Sequence, residues 1–178
     1  NLDKTVFNYR SVTPDGAQQG RSHIGHPAPD VRNIQYAVPF GVRAALDGKS
    51  GAVYGHLSTE PDVPHKSPYE RKLFAQVTPW QVHAKIGHFS SLVWVTDMAT
   101  GMPVEGAKVT FYRDAISALS VPSADNTLAT AQTGRGGVAQ LPGTETIDPM
   151  LELTRNYGDE MPRIFVRVDK DGHMALLP

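Results

Sequence analysis

Short runs in which apolar and polar residues alternate, each stopped by Gly, Pro or an Asp-Gly step, occupy the sequence from Leu73 to Leu177 and leave no room for a long helix. Val82, Ala84 and Ile86 alternate with His83, Lys85 and Gly87, which predicts a half-buried strand with one apolar face. Leu92-Val93-Trp94-Val95-Thr96 is apolar at successive positions, the pattern of a strand covered on both faces or lining a domain contact, so Trp94 is expected in the core. Turn formers fill Asp97 to Pro103, and Ala107, Val109 and Phe111 then alternate with Lys108, Thr110 and Tyr112, which predicts a hairpin. Further runs cover Leu128 to Gln132, Val138 to Leu141, Ile164 to Val168 and His173 to Leu177. The last two are joined by Asp169-Lys170-Asp171-Gly172, where Gly accepts the positive φ of a tight hairpin.

Seven or eight short strands in this stretch predict an all-β fold, an antiparallel sandwich of immunoglobulin or fibronectin type III style over residues 73–178. Two insertions interrupt it. Asp114 to Asn126 is small and polar and is expected to be a loop with one helical turn. Between Thr144 and Arg163, Asp148 as cap, Pro149 at the first helical position and Gly158 as stop predict a short helix over 149–156. Ahead of Leu73 the pattern thins. Val6 to Arg10 and Gly51 to Leu57 are expected strands, Pro14 to Pro29 is rich in Gly, Pro, Gln and Ser, Val31 to Phe40 is expected extended, and Val42 to Leu46 a helical turn ending at Gly48. Pro61, Pro64 and Pro68 mark a linker over 59–72, and residues 1–58 are expected to be the C-terminal part of a preceding β domain, too few strands for a core of their own.

Composition removes several functions. Lys and Arg number 17 against 18 Asp and Glu, so the basic excess that phosphate backbones require is missing and nucleic acid is not expected as a partner. With no Cys, the chain offers no disulfide, no thiolate zinc site and no cysteine nucleophile. No apolar run approaches the roughly 20 residues of a membrane-spanning helix. The start at Asn1 suggests a boundary inside a longer polypeptide.

Motif by motif, turns outcompete chemistry. Gly48-Lys49-Ser50 resembles the end of a phosphate-binding loop, but Arg43 stands where the first Gly is needed. Gly134-Arg135-Gly136-Gly137-Val138-Ala139 matches a dinucleotide fingerprint by letter, yet Pro142-Gly143 stops any following helix, so a hairpin turn is expected. His23, His26, His56, His65, His83, His88 and His173 form no ligand-plus-base pattern, and Asp169 to Gly172 lacks the downstream oxygen ligands of a calcium loop. No Gly-x-Ser-x-Gly elbow is present. Glu145, Asp148, Glu152, Asp159 and Glu160 make an acidic insertion that can meet a basic partner, and Trp80, after Thr78-Pro79, is expected at an exposed edge where it can stack on a sugar. No catalytic, cofactor-binding or metal-binding residue emerges, and no enzyme activity is expected.

From Phe74 onward, Phe74-Ala75-Gln76-Val77-Thr78-Pro79, His83-Ala84-Lys85, Leu92 to Asp97, Thr100-Gly101-Met102-Pro103-Val104, Gly106-Ala107-Lys108-Val109, Gly137 to Gly143 and Val166 to Leu176 together resemble a macroglobulin-like domain of the bacterial alpha-2-macroglobulins. The resemblance covers about 105 residues and extends only loosely to residues 1–58. It implies a large periplasmic protein, often a lipoprotein anchored to the inner membrane, that acts as a broad-spectrum endopeptidase inhibitor. A protease cuts a bait segment, the domain array rearranges, and a thioester in a Cys-x-Glu-Gln motif captures the attacker. This chain has no Cys and no identifiable bait, so the resemblance implies a structural domain whose partners are neighbouring macroglobulin-like domains and, through the full-length protein, target proteases. The other reading is a periplasmic or surface binding module for a protein or a cell-wall carbohydrate.

Overall fold

The computed structural model describes residues 2–30, 37–62, 71–155 and 157–178. Twelve strands and two one-turn helices follow one another: β1 Lys4–Thr13, β2 Gly16–Ala17, β3 Ser22–Pro27, α1 Val42–Ala45, β4 Gly51–Glu60, β5 Lys72–Val77, β6 Trp80–Ile86, β7 Ser90–Asp97, β8 Lys108–Asp114, β9 Thr127–Gln132, β10 Val138–Pro142, α2 Thr144–Ile147, β11 Arg163–Lys170 and β12 His173–Leu177. They form three antiparallel sheets. A front sheet runs β2-β1-β4-β5 with β3 also on β1, a central sheet runs β12-β11-β8-β9, and a rear sheet runs β10-β7-β6.

Side-chain parity sets the stacking order. On β11, Ile164, Val166 and Val168 join Val109 and Phe111 of β8 in one apolar cluster, together with Val93, Val95, Ala139 and Leu141 of the rear sheet. The alternate residue Phe165 points the other way, joining Tyr112, Met174 and Leu176 against Val12 and Ala52 of the front sheet. The central sheet is therefore buried on both faces, which is why its two inner strands carry little polar alternation. The four central and three rear strands make the predicted sandwich, and the front sheet is a third layer. Its outer face is covered by the chain itself, with Phe40, Val42 and Leu46 packed on Phe7, Tyr9 and Val53. The Phe40 ring lies 4.3 Å from Phe7 and 5.7 Å from Tyr9.

The front sheet also guards an edge. β12 is the outermost central strand, so its Met174 and Leu176 N–H groups have no strand neighbour beyond β11 among the described residues. Ser50 Oγ accepts the first at 2.9 Å and Gln76 Oε1 the second at 3.1 Å. Arg167, buried beneath β1, donates to Asp169 at 2.7 to 2.9 Å and to the Thr13 carbonyl at 3.3 Å.

Several expectations change. β5 pairs with β4 in the front sheet, so Lys72 to Val77 belongs to that layer and not to the sandwich over 73–178. β7 and β8 lie in different sheets, because their apolar faces meet across the core; residues 98–107 are a crossover and not a hairpin. The turn at Thr133 to Gly137 likewise passes from the central to the rear sheet. Only Asp171-Gly172 closes the predicted hairpin, with φ of 49° and 72° as a type I′ turn requires. The Gly-, Pro-, Gln- and Ser-rich stretch Pro14 to Pro29, to which the residue pattern assigns no strand, contains β2 and β3. In the second insertion the helix is Thr144–Ile147 and not 149–156, since Leu151 at φ 55° is left-handed and breaks any helix through it. Residues 31–36 of the expected extended segment, residues 63–70 of the expected linker, and Asn156 lie outside the described residues.

The layering makes a direct prediction. Phe165→Ala should cost about 3–5 kcal/mol, as for other buried Phe truncations, whereas Trp94→Ala, on the outer face of the rear sheet, should cost less than about 1 kcal/mol. Urea unfolding of the two variants measures both; equal losses would contradict a two-faced central sheet.

Candidate functional site

Two surfaces carry the side chains that sequence reasoning singled out. The first is the outer face of the rear sheet. Registers place His83 beside Trp94 and Trp94 beside Val138, with Lys85, Leu92 and Gln140 forming the next row. Trp94 is 46% exposed, Leu92 45% and Val138 42%. His83 stacks on Trp94 at 5.8 Å with rings 28° from parallel. Trp80 is only 7% exposed, in the sandwich core, with His173 edge-on at 6.2 Å. The expectations for the two tryptophans are thus exchanged. The rear sheet is an outer layer, so Val93 and Val95 of the apolar run face inward in phase with Ser91 ahead of it, and period-two geometry turns Leu92 and Trp94 to solvent.

The second surface is the acidic insertion and its contact with the front sheet. Buried Asp148 accepts the N–H groups of Glu152, Leu153 and Thr154 at 2.8, 3.1 and 2.9 Å and the Thr154 hydroxyl at 3.0 Å. It is the expected capping residue, serving a turn in place of a helix. Beyond that turn, Asp159 reaches the front sheet. Its carboxylate accepts the Tyr54 hydroxyl at 2.8 Å and the Lys72 ammonium, with Arg163 at 4.0 Å. Neighbouring Glu160 accepts the Ser117 hydroxyl from the other insertion at 2.8 Å. The Lys72 hydrogen bond is the largest influence holding the Asp159 carboxyl below the usual carboxylate range, against burial that pushes it up. Burial and then Asp159 raise Tyr54 above the ordinary phenol value. His56, in the same layer, is lowered by burial first and then by Arg21 and Lys72. Nothing in composition marked Tyr54 and Lys72 as partners of Asp159, because 105 and 87 residues separate them in sequence.

The other motifs are structural. Lys49 pairs with Asp15 at 2.6 Å, while Ser50 serves β12 as described. Asp169 is held by Arg167. His88 packs on Phe89 at 4.7 Å, with its Nδ1 3.3 Å from the Thr144 hydroxyl. Among the described residues, no group of three His, Asp or Glu side chains is placed to hold a metal ion.

With this geometry in view, solved structures are informative. A crystal structure of native alpha-2-macroglobulin from Escherichia coli spanning domains MG0-NIE-MG1 matches 99% of this chain, with a TM-score of 0.51 and 12% identity. The fold is similar to that of bacterial alpha-2-macroglobulin. A second crystal structure of that protein, spanning NIE-MG1, matches 99% of this chain at TM-score 0.51 and 14% identity. The chain spans 55% of the longer fragment and 84% of the shorter. No protein-family model and no curated protein sequence matches the chain. Identities of 12% and 14% leave the side chains largely different, so the macroglobulin-like character resides in backbone architecture.

Acid should loosen the macroglobulin-like frame where the insertion meets the front sheet. A His with a lowered folded pKa contributes stability that is complete above its unfolded value near 6.5 and is lost as pH falls toward the folded value. A carboxylate with a lowered pKa contributes stability that is present above about pH 3.9 and is lost as pH falls through its folded value. Wild-type stability should therefore fall in two stages on acidification. His56→Gln should diminish the upper stage and Asp159→Asn the lower, which Asp97, also held low by its Thr100 hydrogen bonds, keeps in part; urea midpoints across pH read both, and unchanged profiles in both variants would refute the assignment.

Proposed function

We infer that this chain is a structural piece of a bacterial alpha-2-macroglobulin-like broad-spectrum endopeptidase inhibitor, one that traps a protease after a bait segment is cut. The observation that carries this reading is the shared architecture over 99% of the chain with a two-domain macroglobulin fragment. In this reading the front sheet and the sandwich are two consecutive domains that meet at Thr78-Pro79, after β5. The contact between them is an extended apolar cluster, suited to transmitting a displacement from one domain to the next. The chain has no Cys, so covalent capture by a thioester would belong to another part of such a protein. Its immediate partners are neighbouring macroglobulin-like domains, and proteases are met through the whole molecule. Periplasmic location and a lipid anchor outside this chain complete the proposal.

The test uses the full-length protein. Incubation with a broad-specificity endopeptidase should suppress cleavage of a large protein substrate while sparing a small chromogenic peptide, and the present chain alone should leave both unchanged. Undiminished cleavage of the large substrate would overturn the reading. First proteolytic cuts in the chain should fall in the insertions, within 115–126 or 144–162, and not in the stretch 81–113 that holds the paired strands β6, β7 and β8.

A specific observation supports a second reading as a surface binding module for carbohydrate or protein: the exposed Trp94 and His83 stack, on a sheet face without carboxylates. Titration with soluble cell-wall glycan fragments would then give a saturable fluorescence change that Trp94→Ala abolishes. No saturable change would retire this reading for carbohydrate.

A further inference from the structure

We propose that the junction of the front sheet with the two insertions is a binding site for a small doubly charged oxyanion of the phosphate or sulfate class. The face of the front sheet turned toward the sandwich brings its cations together by register. Asn8 lies beside His56 and His56 beside Lys72, while Arg10 lies beside Tyr54 in the adjacent row. Arg21, at the entry to β3, completes the rim. Together with Ser117 and Glu160 they line a cavity of about 90 Å³. That is too small for a drug-sized molecule, which takes a pocket of about 300–1,000 Å³, and is of the size of one small ion.

Charge bookkeeping points to an anion. Lys72 is matched by Asp159. Arg163 lies 4.0 Å from Asp159 and cross-strand from Asp114, whose carboxylate is taken up by the Ala115 and Ser120 N–H groups. Arg10 and Arg21 are joined to no carboxylate among the described residues, and only Glu160 shares their cavity. The Nε of Arg10 is buried with no hydrogen-bond partner among the described residues, a donor that costs free energy until something accepts from it. A tetrahedral oxyanion presents acceptors in several directions, so it can take Arg10, Arg21 and the second N–H of the Asn8 amide, whose first is donated to Ser58 Oγ at 3.1 Å, in the charge-assisted geometry guanidinium groups favour. Bound there, it would link the front sheet to the two insertions, one carrying Ser117 and the other Glu160. Protonation of His56 adds a positive charge to the same wall, so affinity rises as pH falls through the His56 transition. Glu160 opposes binding.

The experiment is a titration of the whole chain with sodium sulfate and with inorganic phosphate, against sodium chloride at matched ionic strength, followed by amide NMR shifts and by Tm. Sulfate keeps its charge across the pH range used, so the pH dependence is read with that ion. The expected result is saturable shifts centred on residues 8–10, 21 and 56 and a rise in Tm. Arg21→Gln, at an exposed position, should weaken binding about tenfold, the effect of about 1.4 kcal/mol. Glu160→Gln should strengthen binding, and His56→Gln should flatten its pH dependence. Arg10→Gln probes the buried donor, and Arg21→Gln and Glu160→Gln keep the test decisive if that variant does not fold. Shifts that follow ionic strength alone, or binding equal in wild type, Arg21→Gln and Glu160→Gln, would overturn the site. Neither result bears on protease trapping, which is measured separately.

Discussion

Burial of the central sheet on both faces is the constraint from which the other layers follow. Phe111, Val166 and Val168 on one side and Tyr112, Phe165 and Met174 on the other are almost wholly withdrawn from water, and a sheet of this kind cannot stand with only one partner. The rear sheet covers the first face and completes the sandwich. The front sheet covers the second, and having done so it exposes a new apolar face of its own, which Phe40, Val42 and Leu46 close. Each layer thus creates the demand for the next. The sequence ends the series by placing polar residues on the outside of the rear sheet, with Trp94, Leu92 and Val138 as the departures from that rule.

Strands were legible because period-two patterning is local, whereas the sheet to which each strand belongs is not. The runs at Val82 to Ile86, Ala107 to Tyr112, Ile164 to Val168 and His173 to Leu177 all appear as strands, and the Asp171-Gly172 turn is present because its chemistry is contained within two residues. The misassigned connections at 98–107 and 133–137 share a cause. A Gly- or Pro-containing turn between two strands is equally compatible with pairing in one sheet and with crossing to the facing sheet, and only the direction of the inward side chains decides. The same ambiguity exchanged the two tryptophans. An unbroken apolar run such as Leu92 to Thr96 suits a strand covered on both faces, and the strands that have that environment, β8 and β11, show it in a form diluted by Thr110, Arg167 and Asp169.

Those polar residues in the central sheet explain why the contact between layers is specific as well as apolar. Arg167 is buried with Asp169 at its side on the same strand and the Thr13 carbonyl above it, so sliding the front sheet along the central one would leave a buried guanidinium N–H without its acceptor. Ser50 and Gln76 impose the same register from the other direction, by accepting the unpaired N–H groups of β12. An apolar cluster tolerates many relative positions of two sheets. Three polar ties at separate points tolerate one.

The candidate site was out of reach of sequence reasoning for a related reason. Asp159 stood out only as one of several acids in an insertion, and a carboxylate in a loop is ordinarily solvated. Its role comes from where the insertion lands: the two long loops of the sandwich meet the face of the front sheet where β1, β4 and β5 display Arg10, Tyr54, His56 and Lys72. Ionisable groups therefore gather at the rim of the inter-layer contact while its centre stays apolar, the arrangement in which charge costs least desolvation. The consequence is a division of labour within one interface. The apolar centre supplies most of the cohesion, and the rim, being charged and partly open, is where pH or a bound ion can alter how firmly the layers hold.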